Sequence, residues 1–323
     1  MNLVTVTIST YNSSSTVIET LESIFNQTWK DIELVIGDDA STDETMPKIK
    51  SWLDTNDRRK RFRDVKIIEV PENTGPTANA QRKLKVATGE WIKGIGADDT
   101  LMPDCISNYM EYISDTPEAR IILSRINVYK DNFEHENFLH TIPGEVTPNS
   151  IVWHERSAAS QYKMLLVSDR IHFTPSVFWH RETLLAVGGF DERFKFQEDY
   201  PIWLNLTRNG YKLHFMEKTT VNYRRHAKAI NNTGKKYIVN PNYFRQEEFR
   251  KTCTYPHLPF DVRYNQRFKW YASQIFRWGW INRDKKFNKF LYLFLTTYVN
   301  PFRYLIWIKK RFSKNMRAIE FYG

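Results

Sequence analysis

From Leu3 to Ser9 apolar residues alternate with threonine and serine, the period-two pattern of a strand. Ile32–Gly37, Val65–Val70 and Trp91–Ile95 are further runs of strand length. Between them the apolar period lengthens. Val17, Leu21, Ile24 and Phe25 recur at helical spacing behind Thr16-Val17-Ile18-Glu19, a capping-box pattern. Asp43 is placed to cap a helix reaching Leu53, a helical stretch follows from Thr77 to Ala87, and Pro103 starts another. Strands separated by helices imply right-handed βαβ units and a parallel sheet.

Beyond residue 130 the pattern is less regular. Asp131–Ser168 has no clean period, carries His135, His140, His154 and Pro143, and reads as a variable insertion or lid. Ile171–Trp179 reads as a strand and Arg181–Val187 as a short helix stopped by Gly188-Gly189. Asp199–Arg208 reads as a helix closed by Gly210, and Lys212–Met216 and Thr220–Arg224 as strands. From Tyr243 onward the pattern is helical. The expected fold is α/β: a mostly parallel central sheet plus a helical C-terminal extension.

In a parallel sheet, ligands bind outside the carboxyl ends of the strands. Thr10-Tyr11-Asn12, Asp38-Asp39, Asn73 and Asp98-Asp99 all fall at those ends. An ionised carboxylate only accepts hydrogen bonds, so Asp38 and Asp39 suit the imide N–H of uracil or the hydroxyls of ribose, although Asp and Ser in Gly37–Asp43 also suit a turn and helix cap. Asp98-Asp99 suits a hard divalent cation that keeps positions open for phosphate, or a solvated acidic turn before Pro103. Glu198-Asp199 precedes a helix; such carboxylates either cap it or take a proton from an attacking hydroxyl. His226 is a candidate metal ligand or phosphate contact, and Arg224 and Arg225 are candidate diphosphate contacts.

Gly-x-Gly-x-x-Gly after the first strand, Gly-x-x-x-x-Gly-Lys-Ser/Thr and His-Glu-x-x-His are all missing. Dinucleotide-dependent oxidoreductases, P-loop enzymes and zinc hydrolases of that type are thereby disfavoured.

The ordered motifs resemble family-2 glycosyltransferases of the GT-A fold. They are Thr10-Tyr11-Asn12, Asp38-Asp39-x-Ser41-x-Asp43, Asn73-x-Gly75, Ala87-x-Gly89-Glu90, Asp98-Asp99, Gly188-Gly189-Phe190-Asp191, Glu198-Asp199 and Tyr223-Arg224-x-His226. The resemblance spans roughly residues 3–230. It implies a Rossmann-like nucleotide-binding half over 1–100 and an acceptor-binding half over 101–235, with a basic-aromatic extension at 236–323. It also implies that Thr10, Tyr11 and Asp39 hold the uracil of a UDP-sugar, with Asn12, Asp38 and Asn73 beside them. Asp98 would meet ribose or sugar, Asp99 would coordinate Mn²⁺ or Mg²⁺, and Asp199, next to Glu198, would be the base of an inverting transfer. His226 resembles the histidine near the diphosphate. Two departures stand out: Gly96-Ala97-Asp98-Asp99 replaces the frequent Asp-Ala-Asp-Asp, and Ala80 stands at the arginine of the frequent Ala-Arg-Asn, with Arg82 two residues on.

Composition adds the remaining partners. The net charge is +10, and from Trp280 to Gly323 ten Lys or Arg face two acidic residues. Apolar runs Phe290–Leu295 and Phe302–Ile308 lie among those cations, which suits a helix in an anionic membrane interface, with a terminal helical hairpin packed on the catalytic domain, its charges solvated, as the alternative and no nucleic-acid partner expected. Phe290–Val299 is half of the ~20 residues a spanning helix needs. Two cysteines and no visible leader fit a reducing compartment. The expectation is therefore a cytoplasmic enzyme, peripheral at the membrane, adding a hexose or N-acetylhexosamine to a lipid-linked saccharide of a bacterial surface polysaccharide such as O-antigen. A transferase using a GDP- or dTDP-sugar and a non-catalytic nucleotide-sugar-binding module are the rivals.

Overall fold

The computed structural model describes residues 2–226 and 237–312. The chain divides into two compact units, one of residues 1–159 and 171–224, the other of residues 160–170 and 225–323. The boundary expected between residues 235 and 236 lies outside the described residues.

The first unit is built on one sheet. Its strands are β1 (Val4–Thr10), β2 (Ile32–Asp38), β3 (Asp64–Glu69), β4 (Trp91–Gly96), β5 (Thr100–Leu101), β6 (Ile121–Lys130), β7 (Phe138–Ile142), β8 (Phe178–His180) and β9 (Leu213–Arg225). Among the described residues they lie in the order β3-β2-β1-β4-β8-β6-β9-β5, with β7 beside β6. β3, β2, β1 and β4 run parallel, whereas β8 is antiparallel to β4 and β6, β7 to β6, and β5 to β9. Val4, Val6 and Ile8 on one face of β1 and Thr5 and Thr7 on the other are all buried, so this central strand is covered on both faces.

The helices, in chain order, are α1 (Val17–Phe25), α2 (Thr45–Asp54), α3 (Pro76–Val86), α4 (Cys105–Asp115), α5 (Ala158–Val167), α6 (Arg181–Ala186) and α7 (Asp199–Arg208). Val17, Leu21 and Ile24 form the buried face of α1, as their spacing predicts. The capping box does not form there. Thr16 makes no side-chain cap bond, and the Glu19 carboxylate turns to the Arg224 guanidinium, a stronger partner than a backbone N–H. The strand expected over Ile171–Trp179 shrinks to β8, because a 3₁₀ turn holding Pro175 precedes it. The two strands expected over 212–224 are one, β9. The supposed lid contains β7, which forms a hairpin on β6, and α5, which runs on into the second unit.

One polar knot ties the first three strands together. Glu33 on β2, its side chain 1% exposed, takes the Lys66 ammonium from β3, the Thr5 hydroxyl from β1, and the Thr88 N–H and hydroxyl, both at 2.8 Å. Gly89 N–H donates to Thr5 Oγ1 at 2.9 Å and Glu90 N–H to Leu3 O at 3.0 Å. The turn before β4 is thus pressed onto β1, and a Cβ at Gly89 would lie 2.5 Å from the Thr5 nitrogen.

The second unit continues with α8 (Glu247–Phe249), α9 (Phe260–Ser273), α10 (Lys286–Leu293) and α11 (Pro301–Phe312), joined by 3₁₀ and π turns. Its small core is Val239, Phe276 and Ile281, with Tyr243, Phe244 and Tyr292 against it. Asn282 accepts the N–H groups of Ile238 and Val239 at 3.1 and 2.8 Å and donates to Val239 O at 2.8 Å. Among the described residues no helix is long and apolar enough to cross a membrane.

Because the neighbour of a Gly89 Cβ is backbone, Gly89→Ala is expected to lower stability by about 1–3 kcal/mol. A urea midpoint equal to that of the parent chain contradicts the close approach.

Candidate active site

The register decides where the polar groups go. Ser9 on β1 aligns with Gly37 on β2 and with Gly96 on β4, and Thr10 aligns with Asp38. Just past the strands, Asp39 N–H donates to Thr10 O at 3.0 Å and Ala97 N–H to Ser9 O at 3.1 Å. Thr10-Tyr11-Asn12, Asp38-Asp39 and Asp98-Asp99 therefore leave the sheet from one edge.

The first two loops are laced to each other. Asp38 is buried and accepts the Thr10 hydroxyl at 2.6 Å, Ser41 N–H at 2.8 Å and the Ser41 hydroxyl at 2.5 Å. Asn12, with φ 49°, donates its N–H to Ser41 Oγ at 2.9 Å and accepts Thr42 N–H at 2.8 Å. The ensuing Asp43 accepts the N–H groups of Ser14 and Thr45 at 3.1 and 3.0 Å, together with the Thr45 hydroxyl. Burial works against its ionisation, but the hydrogen bonds from Thr45 and Ser14 prevail and hold it at about 2. Thr10 and Asp38 thus use their polar atoms to fix the edge, and Tyr11, 50% exposed, is the side chain that projects from it.

Asp39 faces α3. It accepts Thr74 N–H at 3.1 Å, the Thr74 hydroxyl at 2.6 Å and Arg82 Nη2 at 3.0 Å on one oxygen, and Gly75 N–H at 2.6 Å on the other. Burial opposes ionisation, yet these donors hold the carboxyl below its ordinary value. Gly75 has φ 93°, and a Cβ there would lie 2.6 Å from Lys195 Cγ. The Thr77 hydroxyl donates to Phe194 O at 2.7 Å, and Lys195 Nζ reaches Asn73 O at 3.2 Å. The turn bearing the exposed Asn73 is thereby fastened to the segment that runs directly into Glu198 and Asp199 at the start of α7.

At the end of β4 two carboxylates crowd a glycine. A Cβ on Gly96 would lie 2.7 Å from Asp98 Oδ1 and 3.7 Å from Asp99 Oδ2, so the space of the absent side chain is filled by the acids that follow. Asp99, 3% exposed, accepts Arg224 N–H at 2.8 Å. Burial first, and then the charge of Asp98, push its carboxyl well above the ordinary range. Two hard carboxylates that gain from an added positive charge fit magnesium or manganese, which takes one or two protein carboxylates and completes its shell with phosphate and water. Among the described residues no three His, Cys, Asp or Glu side chains gather as a ready-made cation site.

Arg224 has a different place from the one its sequence suggested. Its guanidinium donates to Asp98 O at 2.8 Å and Asp131 O at 2.6 Å, meets Glu19, and lies 4.2 Å over the Phe133 ring. Its backbone N–H and Nε hold the Asp98-Asp99 turn, while Nη1 and Nη2 tie that turn to Asp131 and Glu19. His226 follows β9 directly. Lys83 was not singled out in the sequence. It is buried on α3, donates to Ser9 Oγ, and interacts electrostatically with Glu198. The one hint was Gly37, whose missing side chain leaves room for the lysine stem.

Residues 5–174 match the family model described as glycosyl transferase family 2, over half of the chain. The chain belongs to that family. A second model, glycosyl transferase family group 2, matches residues 91–312. The transferase is 27% identical over 248 residues to the Escherichia coli UDP-Glc:alpha-D-GlcNAc-diphosphoundecaprenol beta-1,3-glucosyltransferase WfaP, covering 76% of this chain and 86% of that one. Staphylococcus aureus TarS in complex with UDP-GlcNAc matches with TM-score 0.58 at 16% identity, over 99% of this chain and 89% of that one. The mannosyltransferase PcManGT from Pyrobaculum calidifontis, solved with GDP-Man and Mn²⁺, matches with TM-score 0.50 at 17% identity, over 98% and 77%. A longer TarS chain is spanned to 43% of its length. At such identities the structural likeness speaks for the fold, which is the GT-A type.

Asp43 titrates lower in the folded transferase than in the unfolded chain. Its contribution to stability is complete above the ordinary value of 3.8 and disappears as pH falls through about 2. Asp43→Asn is therefore expected to flatten the fall in urea midpoint between about pH 5 and pH 2. Parallel profiles for the two proteins contradict the assignment.

Proposed function

We propose that the enzyme is an inverting transferase moving a hexose or N-acetylhexosamine from a UDP-sugar to a hydroxyl of a lipid-linked saccharide, in bacterial surface polysaccharide synthesis. The observation that carries this reading is the convergence of Asp39, Asp98-Asp99 and the segment leading into α7 on one sheet edge. The donor and lipid-linked acceptor in the name of the E. coli relative and the UDP-GlcNAc of the TarS complex point the same way.

The roles follow from the environments. Asp39 Oδ2 accepts Gly75 N–H and keeps acceptor capacity for the imide N–H of uracil. The projecting Tyr11 offers its ring face to the base, while Thr10, Asn12 and Asp38 fix the loops, and Asn73 closes the edge. Asp98 meets ribose or sugar. Asp98 and Asp99 would hold Mn²⁺ or Mg²⁺, with His226 a candidate further ligand or diphosphate contact. When bound, the cation neutralises charge developing on the leaving diphosphate. Arg82, beside Asp39, adds positive charge at the same edge; Arg224 acts through the Asp98-Asp99 turn. Asp199 takes the proton of the acceptor hydroxyl as that oxygen attacks the anomeric carbon from the face opposite the leaving group, which inverts it.

The lipid-linked acceptor gives a use for the second unit. On α11, Phe302 faces inward against the Tyr264 ring at 5.4 Å, and Lys309 bridges to Asp261 at 2.7 Å. Tyr304, Trp307, Ile308 and Phe312 on the other side are exposed, with Arg311 over the Trp307 ring. The Tyr304 hydroxyl donates to Tyr298 O at 2.9 Å, joining this face to the exposed Tyr298. Aromatic side chains among cations suit the headgroup region of an anionic bilayer. The rest of the basic tail, 313–323, lies outside the described residues.

Screened against UDP-, GDP- and dTDP-sugars, the enzyme is expected to release UDP in the presence of Mn²⁺ and to stop with chelator. Asp199→Asn should keep UDP affinity and lose transfer by ~10²–10⁴-fold. Release of GDP or dTDP alone replaces the donor; nucleotide binding without turnover turns the protein into a binding module; near-normal turnover by the variant removes Asp199 from the role. The chain should also sediment with phosphatidylglycerol vesicles at low salt and much less with neutral ones. Equal recovery with both argues against the membrane face.

A further inference from the structure

Residues 143–156, between β7 and α5, form neither helix nor strand, yet they are fastened at several points. Arg125 on β6 donates Nη1 to Pro143 O at 2.5 Å and also to Gly144 O. Arg156 donates Nε to Ser150 O at 2.7 Å and Nη2 to Pro148 O at 2.6 Å. Lys212, just before β9, donates Nζ to His154 O at 2.6 Å. Ile151 and Val152 are buried. Held in this way, the segment walls a cavity of about 180 Å³ together with Tyr112 of α4 and the start of β9. Arg224, whose N–H meets Asp99, is at the other end of β9. At the rise of an extended strand, the cavity lies roughly 30 Å from the Asp98-Asp99 turn.

The lining offers two kinds of surface. Trp153, Tyr112 and Phe215 supply aromatic rings, and the Trp153 indole N–H is held on Glu155 at 3.3 Å. His214 and Glu217 supply polar atoms. His214 is only 9% exposed, and its imidazole has no hydrogen-bond partner among the described residues. Its ring nitrogens are not sealed in, and the space they reach is the cavity that His214 lines. Burial first, and then the charge of Lys212, hold this histidine below its ordinary value, so at neutral pH it offers one donor and one acceptor. Glu217 takes Arg125 Nε, at 3.1 Å, and Nη2 on the same oxygen, Oε2, which leaves Oε1 as an acceptor.

Size and chemistry narrow the occupant. A cavity of ~150 Å³ holds a benzene ring, so this one takes a single six-membered ring with small substituents. Pockets for larger ligands run to roughly 300–1,000 Å³, so a nucleotide is too big. A bare apolar ring would leave the His214 imidazole without a partner, and an anion would meet the Glu217 carboxylate. A pyranose satisfies both surfaces: hydroxyls donate and accept, and the C–H face of the ring suits aromatic walls.

We propose that this cavity is a saccharide-binding site, separate from the transfer edge, taking one neutral pyranose residue with its ring against Trp153 and its hydroxyls on His214 and Glu217. At that distance the site tethers a saccharide and takes no part in bond making. It does not rest on the roles given to the acids at the edge.

The test titrates the full chain with methyl β-D-glucoside, methyl β-D-galactoside and N-acetylglucosamine, read by saturation-transfer NMR and tryptophan fluorescence. At least one of them should bind saturably with Kd on the order of 1–10 mM, in keeping with one small ring. Trp153→Ala should weaken that binding roughly tenfold or more. If that variant does not fold, as judged by its urea midpoint, Glu217→Gln is the second, because its side chain is 64% exposed. It should weaken binding about tenfold, through loss of a charged acceptor. No saturable binding of any of the three up to about 50 mM, or unchanged affinity in a folded variant, would overturn the proposal. Phenol or inorganic phosphate bound more tightly than the sugars, and weakened by the same variants, would overturn it too, since the cavity would then be an apolar hole or an anion site.

Discussion

Acidic side chains concentrated at one edge of a sheet must be neutralised, and the first unit is arranged around that requirement. Asp38 is satisfied by the hydroxyls of Thr10 and Ser41, and Asp39 by Thr74, Gly75 and Arg82. Burial raises the Glu198 carboxyl, and its own backbone N–H and the charge of Lys83 oppose that rise. Asp99 is the exception: it is buried beside Asp98, accepts one backbone N–H from Arg224, and Lys93 from β4 offsets only part of the cost. Asp99 is the acid that a like charge raises as well as burial, at the point where, on the proposed reading, a cation and a diphosphate would add theirs. A like-charge pair left in this state is a common mark of a functional site.

The fold supplies the crowding through small residues. Ser9, Gly37 and Gly96 form one row across three parallel strands, and the two glycines each let something larger approach. Gly37 admits Lys83 and Asn79, Gly96 admits the carboxylate of Asp98, and Gly89 brings the turn before β4 onto β1. Arg224, arriving from the far end of the unit's sequence, then fastens β9 to the Asp98-Asp99 turn, to α1 through Glu19 and to Asp131. The geometry of this edge depends on backbone proximity as much as on the acids themselves.

Much of this was legible before any coordinates. The alternation at Leu3–Ser9 and the apolar run at Ile32–Gly37 mark β1 and β2 nearly to the residue, because strands covered on both faces carry a strong local signal. α7 is equally plain, being bounded by Asp199 and Gly210. Long-range partners were not legible. The Thr16–Glu19 capping box failed because Glu19 is claimed by an arginine 205 residues away in sequence. Nothing local marks Lys83 as internal, and only its packing over Gly37 shows that it is. β8 is shorter than its pattern suggests, since a turn holding Pro175 precedes it, and β9 is continuous where the pattern suggests two strands. Family 2 membership was readable from the motif order; which acid meets which partner required the fold.

The central claim is that one sheet edge receives the nucleotide and its cation together. A crystal structure of the enzyme with UDP and Mn²⁺, with anomalous data collected at the manganese edge, tests it most directly. The account predicts uridine beside Tyr11 and Asp39 and an anomalous peak at Asp98-Asp99, against the diphosphate. Nucleotide bound away from the ends of β1, β2 and β4, or manganese remote from both aspartates, would contradict it.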